Sequence, residues 1–140
     1  ETLDLRVKAE QASAVSLAGT LEGLSGVEQV WYPYLASHPQ YELARSQMSG
    51  GGTVVTFSVE GGKEAAFRLL NALDVIDISN NLGDSKSLVT HPASTTHRRL
   101  GPEVRSQMGI TDGVVRISVG LESVEDLIAD VTQAVEGATS

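Results

Sequence analysis

Two short segments hold most of the residues that could do chemistry. In Val114-Val115-Arg116-Ile117-Ser118-Val119-Gly120, strand alternation puts Val115, Ile117 and Val119 on one face and Arg116 and Ser118 on the other. An arginine there has two readings. Its stem can lie over the sheet with the charged head in water, or its planar guanidinium can clamp a carboxylate through two parallel hydrogen bonds. The second segment, Ser79-Asn80-Asn81-Leu82-Gly83-Asp84, is polar and turn-prone between apolar runs. It reads either as a loop closed by Asx turns or as a set of amides and N–H groups beside a ligand.

Other candidates carry less. Gly50-Gly51-Gly52 precedes a strand and lacks a following Lys-Ser/Thr, whereas a phosphate cradle needs a helix N-terminus after the glycines. A plain turn is expected. His38, His91 and His97 could join Asp84 around zinc, but no pair has the short spacing usual for zinc ligands. Structural or solvated histidines are the simpler expectation. Ser87, Ser94, Thr95 and Thr96 stand near His91 and His97; a nucleophile–base pair would also need an orienting acid and an oxyanion hole. Hydroxyls in an irregular loop more often bond their own backbone.

The elements that must position these residues follow from periodicity. Leu3, Val7, Ala14, Leu17, Ala18, Leu21 and Leu24 recur at helical intervals and predict an opening helix from about Thr2 to Leu24, stopped at Ser25-Gly26. Strands are predicted at Val27 to Tyr32, Val54 to Val59 and Val114 to Val119, with shorter runs at Val75 to Ile78 and Ser85 to Thr90. Helices are predicted over Gln40 to Met48, after Gly61-Gly62, from Pro102, and after Ser123 with Asp126 as a capping-box-like partner. Gly137 to Ser140 is expected to fray. About four strands in mixed order with four or five helices predict an α+β domain, a small, mostly antiparallel four-stranded sheet with helices on one face.

Composition bounds the function. The 140 residues suit one domain; such a chain buries roughly 68–70% of its unfolded surface. Ten basic against 18 acidic residues give a net charge of −8, which argues against a nucleic-acid binder needing a basic stripe. No apolar run of about 18 residues is present to span a membrane. The lack of cysteine excludes disulfides and thiol catalysis and fits a reducing compartment. The chain enters its helical pattern almost at Glu1, so a piece of a longer protein is expected.

Long motifs then point to a family. Asn81-Leu82-Gly83-Asp84-Ser85-Lys86-Ser87-Leu88-Val89-Thr90-His91-Pro92-Ala93-Ser94-Thr95-Thr96-His97 resembles a signature of the Cys/Met-metabolism pyridoxal-phosphate enzymes. So do the run from Gly109 to Glu122, the Asp126-Leu127-Ile128-Ala129-Asp130 that follows, and Val30-Trp31-Tyr32-Pro33 with Ser37-His38-Pro39 upstream. The resemblance covers nearly the whole chain. It implies a fold-type-I architecture, with residues 1–140 forming the single C-terminal small domain and the opening helix leading to a large domain not contained in this chain. That large domain would carry the lysine that holds pyridoxal phosphate, since Lys8, Lys63 and Lys86 match no such motif. Residues 1–140 alone are therefore expected to be inactive.

The resemblance also assigns roles. Arg116 falls on the family arginine that binds the substrate α-carboxylate. Asn81 stands where serine is usual, just before Leu-Gly, and with the Leu82 amide would lie beside that carboxylate; the change puts any serine-based role in doubt. The Asn80-Asn81-Leu82-Gly83-Asp84 form is most similar to the O-succinylhomoserine sulfhydrylase branch. Implied for the parent are an acyl-homoserine and sulfide as substrates, homocysteine as product, pyridoxal phosphate as cofactor, a homotetramer and a cytoplasmic location. Cystathionine γ-synthase, methionine γ-lyase and a stand-alone scaffold domain are the alternatives.

Overall fold

Strand alternation decides the layers. In the computed structural model, which describes residues 1–140, Val55, Phe57 and Val59 of β2 (Val54–Val59) are buried on one side, as are Val115, Ile117 and Val119 of β5 (Val114–Ser118) and just beyond. Three helices cover that side. They are α1 (Leu3–Glu22), α3 (Gly62–Ala72) and α5 (Val124–Thr139), contributing Leu17, Leu21, Leu69, Leu127 and Val131 among others. Each fully buried side chain of this size stabilises the fold by about 1.5–3 kcal/mol. Two shorter helices, α2 (Tyr41–Gln47) and α4 (Gly101–Gln107), lie outside this layer, as do 3-10 turns at Pro92–Ser94 and Arg98–Leu100.

β1 (Val27–Trp31), β3 (Asp77–Ile78) and β4 (Leu88–Thr90) complete a sheet of order β1-β2-β5-β4-β3. All pairings are antiparallel except β3 with β4. The sheet thus has five strands where the sequence predicts four, with helices on one face as expected. The fifth is a two-residue parallel edge. The apolar run Val75 to Ile78 shortens to Asp77–Ile78 because the Asp130 carboxylate on α5 takes the N–H groups of Asp74, Val75 and Ile76, at 2.7, 2.9 and 3.1 Å, before the ladder begins.

Three local expectations need correction. Leu3 is 64% exposed rather than part of the α1 core face, which starts near Glu10. Ser123 does occupy the N-cap of α5, but its hydroxyl donates to Glu125 Oε2 at 2.8 Å and accepts no helix N–H, so no capping box forms with Asp126. The C-terminal residues hold the helix through Thr139 instead of fraying. Ala138 is buried, and the Arg68 guanidinium donates two bonds to its carbonyl, at 3.3 and 2.8 Å.

Candidate functional site

The open side of β5 is a row of anchors. At the period of two that a strand dictates, Arg116, Ser118, Gly120 and Glu122 each hold a point of the segment joining β3 to β4. Arg116 Nη2 donates to the Asn80 carbonyl at 3.0 Å. Ser118 Oγ accepts the Gly83 N–H at 2.9 Å. The Gly120 N–H donates to Ser87 Oγ at 2.8 Å, and Ser87 in turn donates its hydroxyl and N–H to the Glu122 carboxylate, at 2.8 and 2.9 Å. Gly120 must be glycine. A Cβ there would stand 2.5 Å from Ser85 O, Lys86 C and Ser87 N, with backbone that cannot yield.

Asn80 is held twice. Thr90, the cross-strand partner of Arg116, donates from Oγ1 to Asn80 Oδ1 at 3.1 Å. Thr95 Oγ1 stands 2.9 Å from Thr90 Oγ1 and 2.8 Å from the His91 carbonyl, and its one proton goes to one or the other. One pair of strand neighbours therefore sets both the main chain and the side chain of the residue just before Asn81. Asn81 and Leu82 lie in the link between the Arg116 and Ser118 anchors. The Asn81 N–H makes a long contact to Ser79 Oγ, 3.3 Å, and Leu82 is 58% exposed.

The charge at this site is unpaired. Arg116 is half-buried and has no carboxylate within 4 Å, the two ion pairs of the chain being Lys8–Asp4 and Lys86–Asp77. Its contact with Asn80 fixes one edge of the guanidinium, and a guanidinium has five N–H donors in a fixed fork. What remains is a preorganised donor set for a planar anion, beside two exposed residues of a pinned turn. A free guanidinium edge of this kind matches the geometry of a carboxylate.

The other candidates separate cleanly. His91 is 1% exposed; its Nε2–H donates to the Asp112 carbonyl at 2.6 Å, which leaves Nδ1 to meet Ser94 Oγ at 2.8 Å. Ser94 and His91 thus come together, but a main-chain carbonyl stands where an orienting acid would be needed. His38 Nδ1 accepts the Gln40 N–H, and His97 Nδ1 meets Thr96 Oγ1. Asp84 closes an Asx turn onto the Lys86 N–H at 3.1 Å. No three His, Asp or Glu side chains gather as a metal-binding group. The Gly50–Gly52 run is a turn under Tyr32, whose hydroxyl donates to the Gly52 carbonyl at 2.8 Å and whose pKa burial pushes up to about 12.

None of the three lysines suits a cofactor aldehyde. Lys8 is exposed and paired with Asp4, Lys86 is exposed and paired with Asp77, which raises its pKa, and Lys63 lies over the Phe67 ring.

Comparison with known proteins gives the context of this geometry. The family described as Cys/Met metabolism PLP-dependent enzyme matches residues 1–136. O-succinylhomoserine sulfhydrylase of Mycobacterium tuberculosis is 59% identical over 138 residues, 96% of this chain and 34% of that protein. The chain belongs to the Cys/Met-metabolism PLP-dependent enzyme family. L-methionine gamma-lyase of Pseudomonas putida, another relative, is 48% identical over 136 residues, 97% of this chain and 34% of that protein. Among solved structures, cystathionine gamma synthase from Xanthomonas oryzae pv. oryzae, in complex with aminoacrylate and cysteine, superposes with a TM-score of 0.93. It is 39% identical and covers 98% of this chain and 35% of its own. The chain spans about a third of the length of the relatives it matches. Within the Cys/Met-metabolism family, pyridoxal phosphate is the shared cofactor.

Several residues that build the site carry no assigned role in the sequence reading. Asn80, Thr90, Ser118 and Glu122 all act by hydrogen bonds across strands or along the row facing away from the core. The signal was available: polar residues and a glycine at every second position from Arg116 to Glu122 mark a face that is covered by something other than helices. Asp130 carried a second signal, as a carboxylate at a core-facing position of α5 that must meet donors when buried.

Proposed function

We propose that this chain is the C-terminal small domain of a pyridoxal-phosphate-dependent γ-replacement enzyme. That enzyme converts O-succinyl-L-homoserine and sulfide to L-homocysteine and succinate. The bond from Cγ to the ester oxygen breaks, succinate departs with the electron pair, and sulfide supplies the new Cγ–S bond. Bound pyridoxal phosphate supplies an electron sink for charge developing at Cα and Cβ. The lysine that holds the cofactor belongs to the portion of the protein outside residues 1–140, reached through α1.

The role of this chain is to hold the amino acid. Arg116 binds the α-carboxylate through its free donor edge, while Asn81 and the Leu82 N–H flank the same oxygen atoms. Asn80 and Ser118 keep that turn in register. Fixing the carboxylate fixes the direction of the Cα–H bond, an orientation effect that lowers the barrier without any proton transfer by this chain. The single observation carrying the reading is the unpaired Arg116 guanidinium tied by one edge to Asn80. The sulfhydrylase relative favours sulfide and the succinyl ester; the γ-lyase relative keeps elimination as the second reading. The whole enzyme is proposed to be a cytoplasmic homotetramer, acting on small molecules and not on nucleic acid, as the net charge of −8 favours.

The test is made on the full-length protein. Homocysteine is measured with sulfide and either the succinyl or the acetyl ester of homoserine, and ammonia release is measured without sulfide. Homocysteine from the succinyl ester at the higher kcat/KM supports the reading. Ammonia release unaffected by sulfide shifts it to γ-elimination, and no turnover leaves a scaffold domain.

A further inference from the structure

Beyond the end of β4 and ahead of the start of β5 lies a cavity of about 440 Å³ lined by Lys63, His91, Ser94, Arg98, Arg105 and Asp112. Thr90 faces the open side with Arg116, while the next residue, His91, turns inward to meet the Phe67 ring of α3 edge-on at 5.1 Å. Arg116 does not line the cavity. Three of the chain's ten basic residues converge on this cavity although the chain carries a net charge of −8.

None of the three has a carboxylate within 4 Å, although Asp112 is in the same wall. Neutral contacts hold two of them. Arg105 Nη1 donates to the Arg98 carbonyl at 3.3 Å, and the Lys63 ammonium stands 5.4 Å from the centre of the Phe67 ring. His91, 1% exposed and bonded through both ring nitrogens, gives the cavity a rigid polar floor. Three cations against the one Asp112 carboxylate raise the local potential and attract an anion. Arginine forks favour one with planar or tetrahedral oxygens.

We propose that this cavity is a second binding site, distinct from the Arg116 clamp, for a small oxyanion, a phosphate or a dicarboxylate. It does not rest on the function proposed above. Lys63, Arg98 and Arg105 supply the donors that hold the anion.

The experiment is an amide NMR titration of the 140-residue chain at low salt with inorganic phosphate and, separately, with succinate. The expected result is saturable shifts at residues 63, 91 to 98, 105 and 112, with a dissociation constant on the order of 1 mM that weakens as salt screens the charges. Lys63→Gln with Arg105→Gln weakens binding about tenfold or more, and Arg98→Gln, at an exposed position, weakens it several-fold without disturbing the fold. Arg116→Gln leaves it unchanged. Shifts that fail to saturate, that survive Arg98→Gln and the double change, or that centre on Arg116 overturn the proposal. Preference for phosphate over succinate, or the reverse, names the source of the anion.

Discussion

Asp130→Asn is the sharpest test of how this fold aims its site. The carboxylate is 5% exposed and accepts three main-chain N–H groups, from Asp74 at Oδ1 and from Val75 and Ile76 at Oδ2, with Gln133 Nε2 at 3.4 Å from Oδ1. Asparagine fits the volume but keeps one acceptor. With its oxygen toward Val75 and Ile76, the amide NH2 confronts the Asp74 N–H at what was a 2.7 Å contact. One donor is then stranded, costing about 1–3 kcal/mol, and two charge-assisted bonds become neutral ones of roughly half the strength. The sum is a loss of about 2–4 kcal/mol. For a chain of this size that lowers the melting temperature by on the order of 10 °C. Urea denaturation of the 140-residue chain reads the loss as a shifted midpoint with an unchanged slope. Hydrogen exchange localises it to the Val75 and Ile76 amides, which open first. A change under about 0.5 kcal/mol, a typical surface substitution, would refute the view that Asp130 sets where β3 starts and so where the Asn80 turn is launched.

Two further outcomes follow from single contacts. Glu10 is buried on α1, and burial, with Asp84 and Glu122 adding repulsion against a partial offset by Arg6, raises its pKa above the ordinary 4.5. A raised acid binds its proton more tightly when folded, so ionised Glu10 costs stability as pH rises through the ordinary value and then its folded value. Glu10→Gln therefore raises the melting temperature at pH 7, and the gain disappears below the ordinary carboxyl range; an equal gain at both ends of a pH series contradicts the assignment. Thr90→Val removes the hydroxyl that holds Asn80 and, in the full-length protein, lowers kcat/KM for the amino acid by up to about tenfold. Thr90→Ser restores it, and kinetics unchanged by Thr90→Val, or not restored by Thr90→Ser, contradict the role.

Most of the layer arrangement was legible because it rests on periodicity. Val55, Phe57 and Val59 announce a strand by alternation, and the Leu127, Val131, Val135 spacing announces α5. Where the sequence misleads, a side chain distant along the chain decides. Nothing near Val75 says that its N–H belongs to Asp130, nothing near Ser123 says that Glu125 will take its hydroxyl, and the end of α5 is held by Arg68 from another helix. The candidate site divides in the same way. Arg116 stands out as a charge in an apolar strand, and the family motifs draw Asn81 and Leu82 to it. Asn80 and Thr90 do not stand out, because their part is geometrical and arises only when β4 is laid beside β5.

The central claim is that Arg116 is the carboxylate clamp of a pyridoxal-phosphate enzyme. It is tested most directly by kcat/KM for homocysteine formation in the full-length protein carrying Arg116→Lys, with the absorbance of the bound cofactor recorded alongside. Lysine keeps the charge and loses the fork. The account predicts kcat/KM lower by about 10- to 100-fold, the worth of one charge-assisted contact, with the cofactor band unchanged. Kinetics within about twofold of the unaltered protein would contradict it.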